Sequence, residues 1–362
     1  MFSALTRFAP IAKPGATKYG PMGLYTISSL PTSVQNSSLA ESLVLLANHS
    51  ITKHTWSAYK TAGRMLSQCF QDLGQTVSFP LNQNHICLFV GWLHKRKLAS
   101  STISSYLAGL RQLHLTAGLT PPIIRSDLVK QILSGKIHHE TISPSCRKTR
   151  LPVTPTILRL LKLAIAKDSL SKHDARLFWL VCSLAFHGAF RMGELLTRSP
   201  TTFDPNFCLL NQQVSINSLN GRDFLEVSLS STKTSATRVT VVDIFPTHND
   251  LCPVKAFTKW SSTAEIIPTS PVFRLSSGKL LTPTMLNKKL KLWLKKDLDF
   301  SKCSVSGHSF RAGLVSVLSN MGFREADLKV VGRWSSRAYE LYTKLPRTRR
   351  RAMAEAMGNI RI

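Results

Sequence analysis

The sequence predicts a mainly α-helical protein with a small antiparallel β-sheet, divided into a helical first domain and a mixed α/β second domain. Three observations support this fold class. Apolar residues recur at helical spacing over most of residues 38–136, which is typical of helices that share one core. A basic, proline-containing stretch follows at 139–153, with the composition of an interdomain linker. Between Val214 and Phe245 the apolar period switches to two, which indicates β-strands.

The first domain is predicted over residues 38–138 as a bundle of four or five helices. Trp56, Ala62 and Leu66 lie at helical spacing in one segment, and a run that begins at Ser100 repeats this spacing in another. Residues three or four positions apart share a helix face, so each segment offers an apolar face to a common core. The polar surface of this domain is basic and includes His94-Lys95-Arg96-Lys97 and Arg111.

Composition predicts the flanking segments. Residues 1–37 contain basic residues and no acidic residue, and we predict that they form a disordered basic arm. A transit peptide is the alternative, which the prolines and glycines of this segment disfavour. Residues 139–153 are the predicted linker, and residues 352–362 are a predicted C-terminal tail.

The second domain is predicted over residues 154–351 and opens on a strong helix start. Thr154 can cap this helix, and Pro155 suits its first turn. Asn220-Gly221 marks a tight hairpin turn between two strands, and a third strand follows at 239–244. The helices predicted for this domain include 154–166, 174–197 and 284–298.

The net charge is the outlier of the composition. The chain carries 47 Lys and Arg against 19 Asp and Glu, a formal charge of +28, with a pI near 10.3. Such an excess repels itself in a compact protein and suits a polyanionic partner, above all nucleic acid. Ribosomal-type and membrane-surface proteins are the alternatives. They fit less well, because the charges are dispersed through amphipathic segments and are not confined to a tail.

The cysteines and the hydropathy exclude other classes of protein. The seven cysteines are scattered, odd in number and never arranged as Cys-x-x-Cys, which argues against a disulfide framework and a structural zinc site, and for a reducing compartment. No apolar run approaches the roughly 20 residues that a membrane-spanning helix requires. We therefore expect neither a metal site of this kind nor a membrane partner.

Arg191 lies where glycines interrupt an apolar helix, in Gly188-Ala189-Phe190-Arg191-Met192-Gly193-Glu194. A desolvated guanidinium held at a helix start can bind two phosphate oxygens in a forked geometry. The alternative is a structural pair between Arg191 and Glu194 on one helix face. The two interpretations are compatible, because Glu194 can orient Arg191.

His308 and Arg311 stand three residues apart behind Ser306-Gly307, on the first turn of a predicted helix. Free backbone N–H groups and the helix dipole favour anion binding at such a position. A histidine satisfied at the domain surface is the alternative, and it is the commoner outcome for an isolated His-x-x-Arg.

Two further residue types suit chemistry at a phosphate. Tyr342 follows the Gly332-Arg333-Trp334 turn, and a phenol becomes a nucleophile when cations or a base stabilise its phenolate. Tyr339 competes for this role, and either tyrosine can instead be an aromatic core residue. Lys233 lies in a predicted hairpin turn, where a mobile ammonium can act as a general acid. By itself it is an ordinary solvated lysine.

Taken in chain order, these residues resemble the signature of the tyrosine recombinase (phage integrase) family. That signature is an Arg in a Gly-x-x-Arg-x-x-Glu-Leu box, a hairpin Lys, then His-x-x-Arg, then Gly-His/Trp, then Tyr. The matching residues are Arg191, Lys233, His308, Arg311, Trp334 and Tyr342. The resemblance extends over nearly everything from residue 38 to 351. It looks most like the recombinases of eukaryotic mobile elements of the DIRS and Crypton kinds.

The resemblance implies a role for each residue. Tyr342 would attack a DNA phosphodiester, form a 3′-phosphotyrosyl link and release a 5′-hydroxyl. Arg191 and Arg311 would hold the nonbridging oxygens of the transition state. Lys233 would protonate the leaving 5′ oxygen, and His308 would assist proton transfer from the tyrosine. No metal or nucleotide cofactor is implied, because the covalent link conserves the phosphodiester energy.

The chain departs from the family pattern in one turn. Counting forward from Arg311 places the His/Trp position at Trp334, whereas counting back from Tyr342 places it at Arg333. We prefer Trp334, since its indole N–H can donate to a phosphate and its ring can support the site. Arg333 stays an alternative, and the shorter turn also keeps Tyr339 as an alternative nucleophile.

The resemblance also implies partners. A SAM-like core-binding domain over 38–138 and a catalytic domain over 154–351 would hold double-stranded DNA, and four protomers would form a synaptic complex. The expected location is the nucleus if the source is eukaryotic, or the cytoplasm and nucleoid if it is bacterial or phage. The residues expected to bind DNA are Lys95, Arg96, Lys97, Arg111, Arg147, Lys148 and Arg150.

Two other functions compete with a site-specific recombinase. A domesticated DNA-binding protein would keep the fold and lose the chemistry, which the presence of all six catalytic-type residues disfavours. A type IB topoisomerase would share the catalytic domain and relax supercoils without partner strands. The small helical first domain, in place of a large clamp, disfavours that function.

Overall fold

The computed structural model describes residues 24–122, 126–142, 149–230, 239–300 and 302–334. Contacts within the chain divide it into two compact units, Met1–Ser145 and Cys146–Ile362. The described residues are mostly helical, with a small antiparallel sheet in the second unit. The predicted fold class is therefore confirmed. In the part of the chain that is described, no helix is long and apolar enough to span a bilayer.

The first unit is built from helices. Thr52 caps the helix Lys53–Asp72 by accepting the backbone N–H of Thr55, and Asn82 caps the helix Gln83–Lys95 by accepting that of His85. Such caps satisfy N–H groups that have no partner inside the helix. In chain order the helices of this unit are α1 (Thr32–Gln35), α2 (Ala40–His49), α3 (Lys53–Asp72), α4 (Gln83–Lys95), α5 (Ser100–Thr116) and α6 (Asp127–Ile142).

The core of the first unit includes a close contact between α3 and α5. Gly109 of α5 faces α3 so tightly that an added Cβ would lie 3.0 Å from the Cβ of Ala62. The predicted apolar faces of the two helices are buried, which confirms their helical spacing. Their buried members are Trp56, Ala62, Leu66 and Phe70 from α3, and Ile103, Leu107, Leu110 and Leu113 from α5.

The prediction that all of residues 1–37 are disordered is wrong for residues 24–37. Leu24 is buried in the core of the first unit. The backbone of Tyr25 exchanges two hydrogen bonds with the buried amide of Asn48, at 2.7 and 3.0 Å. Ser29 donates to the carbonyl of Thr116 at 2.8 Å. The physical reason is that the basic residues of the arm all precede this segment, whose apolar and hydroxyl side chains can pack and pair.

The predicted linker at 139–153 also contains regular structure. Helix α6 continues to Ile142, where Glu140 accepts hydrogen bonds from the backbone and hydroxyl of Ser100 at 2.8 and 2.9 Å. Strand β1 (Thr149–Arg150) pairs in parallel with β5 (Cys303–Ser304), and Val153 is fully buried. Composition marked this stretch as polar, but pairing with residues about 150 positions away is not visible in a local pattern.

The second unit combines helices with a three-stranded antiparallel sheet, in which β3 (Arg222–Leu229) lies between β2 (Val214–Leu219) and β4 (Thr240–Ile244). Asn220 and Gly221 both have positive φ, 51° and 73°, as a two-residue hairpin turn requires. The hairpin is therefore confirmed at the predicted position. After β1, the elements in chain order are α7 (Pro155–Lys167), α8 (Lys172–His187), α9 (Met192–Leu195), β2 (Val214–Leu219), β3 (Arg222–Leu229), β4 (Thr240–Ile244), α10 (Pro253–Ser261), α11 (Pro283–Trp293), β5, α12 (Gly307–Asn320) and α13 (Glu325–Gly332).

Helix α8 is the centre of the second core. Every residue from Val181 to Phe186 is buried, on all sides of the helix. A helix that is apolar all round must be covered all round, and α8 contacts α7, α10 and α12. Its C-terminal end is thereby fixed inside the unit, and the candidate site is built at that end.

Candidate active site

The helical structure is interrupted between α8 and α9. This helix break is the centre of the candidate site. Helix α8 ends at His187 with Gly188 as its C-cap, and Ala189 then adopts a left-handed conformation with φ of 47°. An added Cβ on Gly188 would lie 2.2 Å from the ring of Phe190. Glycine is therefore required for the turn. The reversal leaves the carbonyls of Gly188 and Ala189 outside the regular helix pattern, where side chains can reach them.

Arg191 is held at the start of α9 by Glu194. The Arg191 backbone N–H donates to Oε2 of Glu194 at 2.9 Å, and its guanidinium Nη1 donates to Oε1 at 2.7 Å. The two side chains are only 17% and 5% exposed. The structural pair and the orienting role that the sequence suggested for Glu194 are thus one arrangement, in which the carboxylate fixes the guanidinium.

Arg311 comes to the same break from α12. The residue is 2% exposed, and its Nη1 donates to the Ala189 carbonyl at 3.3 Å. The first turn of α12 packs directly on α9, since an added Cβ on Gly307 would lie 2.0 Å from Cγ of Met192. Asn287 of α11 accepts the Gly307 N–H at 3.1 Å and fixes this helix start. His308, on the same first turn, is exposed.

Arg333 and Trp334 follow α13 and make different contacts. Arg333 has a left-handed φ of 50°, and its side chain is 12% exposed. Its Nη1 donates to the Gly188 carbonyl at 2.9 Å, and its Nη2 donates to the Ala189 carbonyl at 3.0 Å and to Oε2 of Glu194 at 2.9 Å. The Trp334 ring instead lies against Arg311, with the guanidinium carbon 4.5 Å from the ring centroid.

Gly332 explains how Trp334 reaches Arg311. An added Cβ on Gly332 would lie 1.9 Å from Cζ3 of Trp334. The Trp334 backbone N–H also donates to the carbonyl of Lys329 at 3.0 Å, which closes the end of α13. The indole is therefore fixed by the backbone that precedes it.

The charges of the cluster do not balance. Three guanidiniums (Arg191, Arg311 and Arg333) and one carboxylate (Glu194) leave a net charge of 3 − 1 = +2 in a mostly buried region. Burial raises the pKa of Glu194, but Arg333 and then Arg191 lower it by more, so it lies below its usual value. Burial lowers the pKa of Arg333, which the Glu194 carboxylate partly offsets. An anion with several acceptor oxygens would complement such a cluster.

Known structures identify the fold. No protein-family profile matches the sequence, and no curated protein matches it. The structure of the Tn1549 transposon integrase in complex with circular intermediate DNA has a TM-score of 0.53 and 16% identity, and covers 92% of this chain and 99% of that one. The XerH site-specific recombinase bound to palindromic difH substrate has a TM-score of 0.54 and 13% identity, with coverage of 91% and 85%.

A lambda integrase dimer bound to a COC′ core site is a third match, with a TM-score of 0.50, 13% identity, and coverage of 83% of this chain and 92% of that one. The chain has the tyrosine recombinase fold. At these identities the likeness concerns the fold, and the resemblance that the motifs predicted is confirmed at that level.

Within this tyrosine recombinase fold, the structure brings together Arg191, Glu194, Arg311, Arg333 and Trp334, residues that span more than 140 positions of sequence. Other predicted site residues lie outside the described part of the chain, so their roles stay predictions. These are Lys233, Tyr339, Tyr342, Arg147 and Lys148.

The predicted DNA-binding residues that are described are all exposed. They are Lys95, Arg96, Lys97, Arg111 and Arg150. Arg96 also has a local partner, because its Nη2 lies 2.8 Å from Oδ2 of Asp72 and its guanidinium lies 4.0 Å from the Trp92 ring centroid. Its charge is therefore partly neutralised within the first unit.

Sequence reasoning missed two features of the site. The Ala189 carbonyl accepts hydrogen bonds from both Arg311 and Arg333, and Asn287 fixes the start of α12. A glycine-containing break in an apolar helix was the available signal for the first feature. The second had no local signal, because Asn287 lies 20 residues before its partner and in a separate helix.

Proposed function

We propose that this protein is a site-specific DNA recombinase or integrase that cleaves and rejoins strands through a 3′-phosphotyrosyl intermediate. The observation that carries the proposal is the meeting of Arg191 and Arg311 at the break between α8 and α9. This cluster has a net charge of +2, in a chain with a charge of +28 and the tyrosine recombinase fold. A backbone phosphate of DNA is the anion that these features suit best.

The two arginines would stabilise charge on the nonbridging oxygens of the scissile phosphate. Their positions are fixed before the substrate arrives, Arg191 by Glu194 and Arg311 by Ala189 and the Trp334 ring. Donors that are already oriented need little reorganisation as the transition state forms, and loss of one such donor typically costs roughly 2.7–4 kcal/mol.

The covalent step would exchange one phosphoester bond for another. The Tyr342 oxygen attacks phosphorus, a Tyr–O–P bond forms, and the bond to the 5′ oxygen of the next nucleotide breaks. His308 takes part in moving the phenol proton, and Lys233 supplies a proton to the leaving 5′ oxygen. The reverse reaction with a different 5′-hydroxyl joins the new strand. Because each step conserves a phosphoester, we propose that neither a metal ion nor ATP is consumed.

We further propose how the protein assembles. Double-stranded DNA would be bound by both units, with Lys95, Lys97 and Arg111 of the first unit on phosphates. Exchange between two duplexes needs a cut in each of four strands, which suits a homotetramer. In a eukaryote this activity belongs in the nucleus, and in a bacterium or phage it belongs at the nucleoid.

Covalent capture tests the proposal without knowledge of the target sequence. The protein is incubated with a randomised library of nicked duplexes. Cleavage near the nick releases a short fragment that carries the 5′-hydroxyl, and its loss prevents religation. The DNA that stays bound to the protein in SDS is then sequenced. We expect the wild type to capture a defined sequence, Tyr342→Phe to capture none, and Tyr339→Phe to behave as the wild type. Both variants should bind duplex DNA normally.

Three results would contradict the proposal. Capture by Tyr342→Phe at the wild-type level removes that tyrosine as the nucleophile. Duplex binding by the wild type without any covalent capture favours a DNA-binding protein that lacks the chemistry. A wild type that relaxes supercoiled plasmid efficiently with no sequence preference would indicate a topoisomerase-like relaxase.

A further inference from the structure

Arg333 occupies an unusual place for a residue next to a proposed phosphate site. It follows α13 in a left-handed conformation, and this turn directs its side chain back into the second unit. The guanidinium carbon lies 5.0 Å from the ring centroid of Phe190, and the side chain is 12% exposed. The side chain of Arg333 therefore lies in the interior of the second unit, among the residues of the helix break.

The contacts of Arg333 fix the residues that hold Arg191. Its Nη1 and Nη2 bind the carbonyls of Gly188 and Ala189, the two residues that form the break. Nη2 also binds Oε2 of Glu194, while Arg191 binds Oε1 of the same carboxylate. Glu194 is thus held from two sides, and one of its partners is Arg191. Without Arg333, the buried carboxylate would keep Arg191 alone as its cation.

We propose that Arg333 is a positioning residue for the phosphate site, acting on Arg191 through Glu194. Its hydrogen bonds hold the end of α13 against the helix break. They thereby fix the orientation of the Glu194 carboxylate, which in turn orients the guanidinium of Arg191. This role differs from that of the family's His/Trp position, which the sequence left open between Arg333 and Trp334. Trp334 contacts Arg311, whereas the side chain of Arg333 does not face outward. The inference rests on the proposed function, and its test separates the two.

A double-mutant cycle measures whether Arg333 acts through Arg191. On a duplex captured by the wild type, we expect Arg333→Met to slow covalent capture on the order of 100-fold, the loss typical of a misplacement of about 1 Å. Combined with Arg191→Ala, it should add no more than about twofold to the loss from Arg191→Ala alone. Independent effects that multiply in the double variant would overturn the proposal.

Arg176→Met is the matched control. Arg176 also bridges backbone and side-chain acceptors in the second unit, namely the Lys259 carbonyl, Ser262 and Thr263, and it is remote from the helix break in these contacts. It should capture DNA as the wild type does. If Arg333→Met fails to fold, Arg333→Lys takes its place in the cycle, because the ammonium keeps the charge and can bind one acceptor, which predicts a smaller, equally non-multiplying loss.

A second measurement does not depend on DNA cleavage. In protein labelled with ¹⁵N-arginine, the Nε–H signal of Arg191 is assigned by its loss in Arg191→Lys. We expect Arg333→Met and Arg333→Lys to shift or broaden this signal, and Arg176→Met to leave it unchanged. An unchanged Arg191 signal in both Arg333 variants would overturn the inference. A wild type that captures no DNA would overturn the proposed function, and the Arg191 signal would still decide the role of Arg333.

Discussion

At the scale of single residues, the site depends on one carboxylate between arginines. Glu194 is 5% exposed and bonds to Arg191 and Arg333. Removal of one partner from a buried ion pair leaves an uncompensated charge, which is far more costly than loss of a surface pair. Glu194 is thus both a structural residue and the support for Arg191.

We expect Glu194→Gln to lower the free energy of unfolding of the second unit by roughly 3–5 kcal/mol at pH 7. Asp299→Asn is the control, since its pair with Lys302 is largely exposed at 3.5 Å, and it should cost about 0–1 kcal/mol. Urea denaturation followed by intrinsic fluorescence measures both. Equal effects of the two substitutions would contradict the claim that the buried carboxylate of Glu194 stabilises the second unit through its ion pairs.

The pH dependence of this effect has a definite sign. The pKa of Glu194 is lower in the folded chain than its usual value, so its contribution is fully present above the unfolded pKa of about 4.3. The contribution is lost as the pH falls through the folded pKa. The difference between wild type and Glu194→Gln should therefore shrink below about pH 4.

The residues of the site were predictable from sequence to different degrees. Arg191, Glu194 and Arg311 could be selected because each stands in a short motif with its own chemical logic. The separate contacts of Arg333 and Trp334 could not, because they depend on the left-handed φ of Arg333 and on the space beside Gly332. The sequence left open whether Arg333 or Trp334 fills the His/Trp position. Only the structure shows that the two side chains make separate contacts.

At the scale of elements, His114 joins α5 to the chain that leads into α4. It is fully buried; its Nδ1 donates to the Leu110 carbonyl at 2.8 Å, and its Nε2 accepts the Leu81 N–H at 3.0 Å. This pattern requires the neutral ring, because a protonated Nε2 cannot accept. Burial lowers the pKa of His114, an effect that the bond to Leu110 offsets only in part.

We expect the junction between Leu81 and α4 to open as the pH falls. A histidine with a lowered folded pKa stabilises the fold fully above the unfolded value of about 6.5, and this contribution is lost below it. Hydrogen exchange at pH 7.5 and 5.5, corrected for the intrinsic rates, should show lost protection at residues 81–93, equivalent to at most about 1.4 kcal/mol, because pH 5.5 lies about one unit below the unfolded pKa. The β2–β3 hairpin serves as the internal control. Unchanged protection at 81–93 would contradict this account.

Elements with a local signal were predictable, and those set by long-range contacts were not. The Asn220-Gly221 hairpin and the Thr154-Pro155 helix start were found because the residue types themselves require that backbone. The order of residues 24–37 was missed, because it depends on Asn48 and Thr116, which are distant in sequence. Likewise the pairing of β1 with β5 has no trace in either two-residue segment.

At the scale of the whole molecule, charge should dominate the affinity for DNA. The formal charge of +28 is carried by side chains along the whole chain, and release of counterions from phosphates makes binding depend on salt. We expect duplex affinity to fall by at least about 10³-fold between 50 and 200 mM salt. Fluorescence anisotropy measures this, and a flat salt response would contradict binding through many phosphate contacts.

Single charge variants refine that prediction. Lys97→Gln should reduce the slope of log affinity against log salt by about one, the effect of one lost phosphate contact. Arg96→Gln should reduce it less, because Asp72 already neutralises part of the Arg96 charge at 2.8 Å. Equal slopes for both variants and the wild type would show that Arg96 and Lys97, at the C-terminal end of α4, are not part of the DNA-binding surface.

The central claim is that Tyr342 becomes covalently attached to DNA. The most direct test is to digest the SDS-resistant complex with nuclease and protease and to identify the nucleotide-bearing peptide by mass spectrometry. We predict a tyrosine phosphodiester on Tyr342, with the DNA attached through its 3′ end and a free 5′-hydroxyl on the released fragment. Attachment at Tyr339, attachment through a 5′ phosphate, or a complex without any modified tyrosine would contradict it.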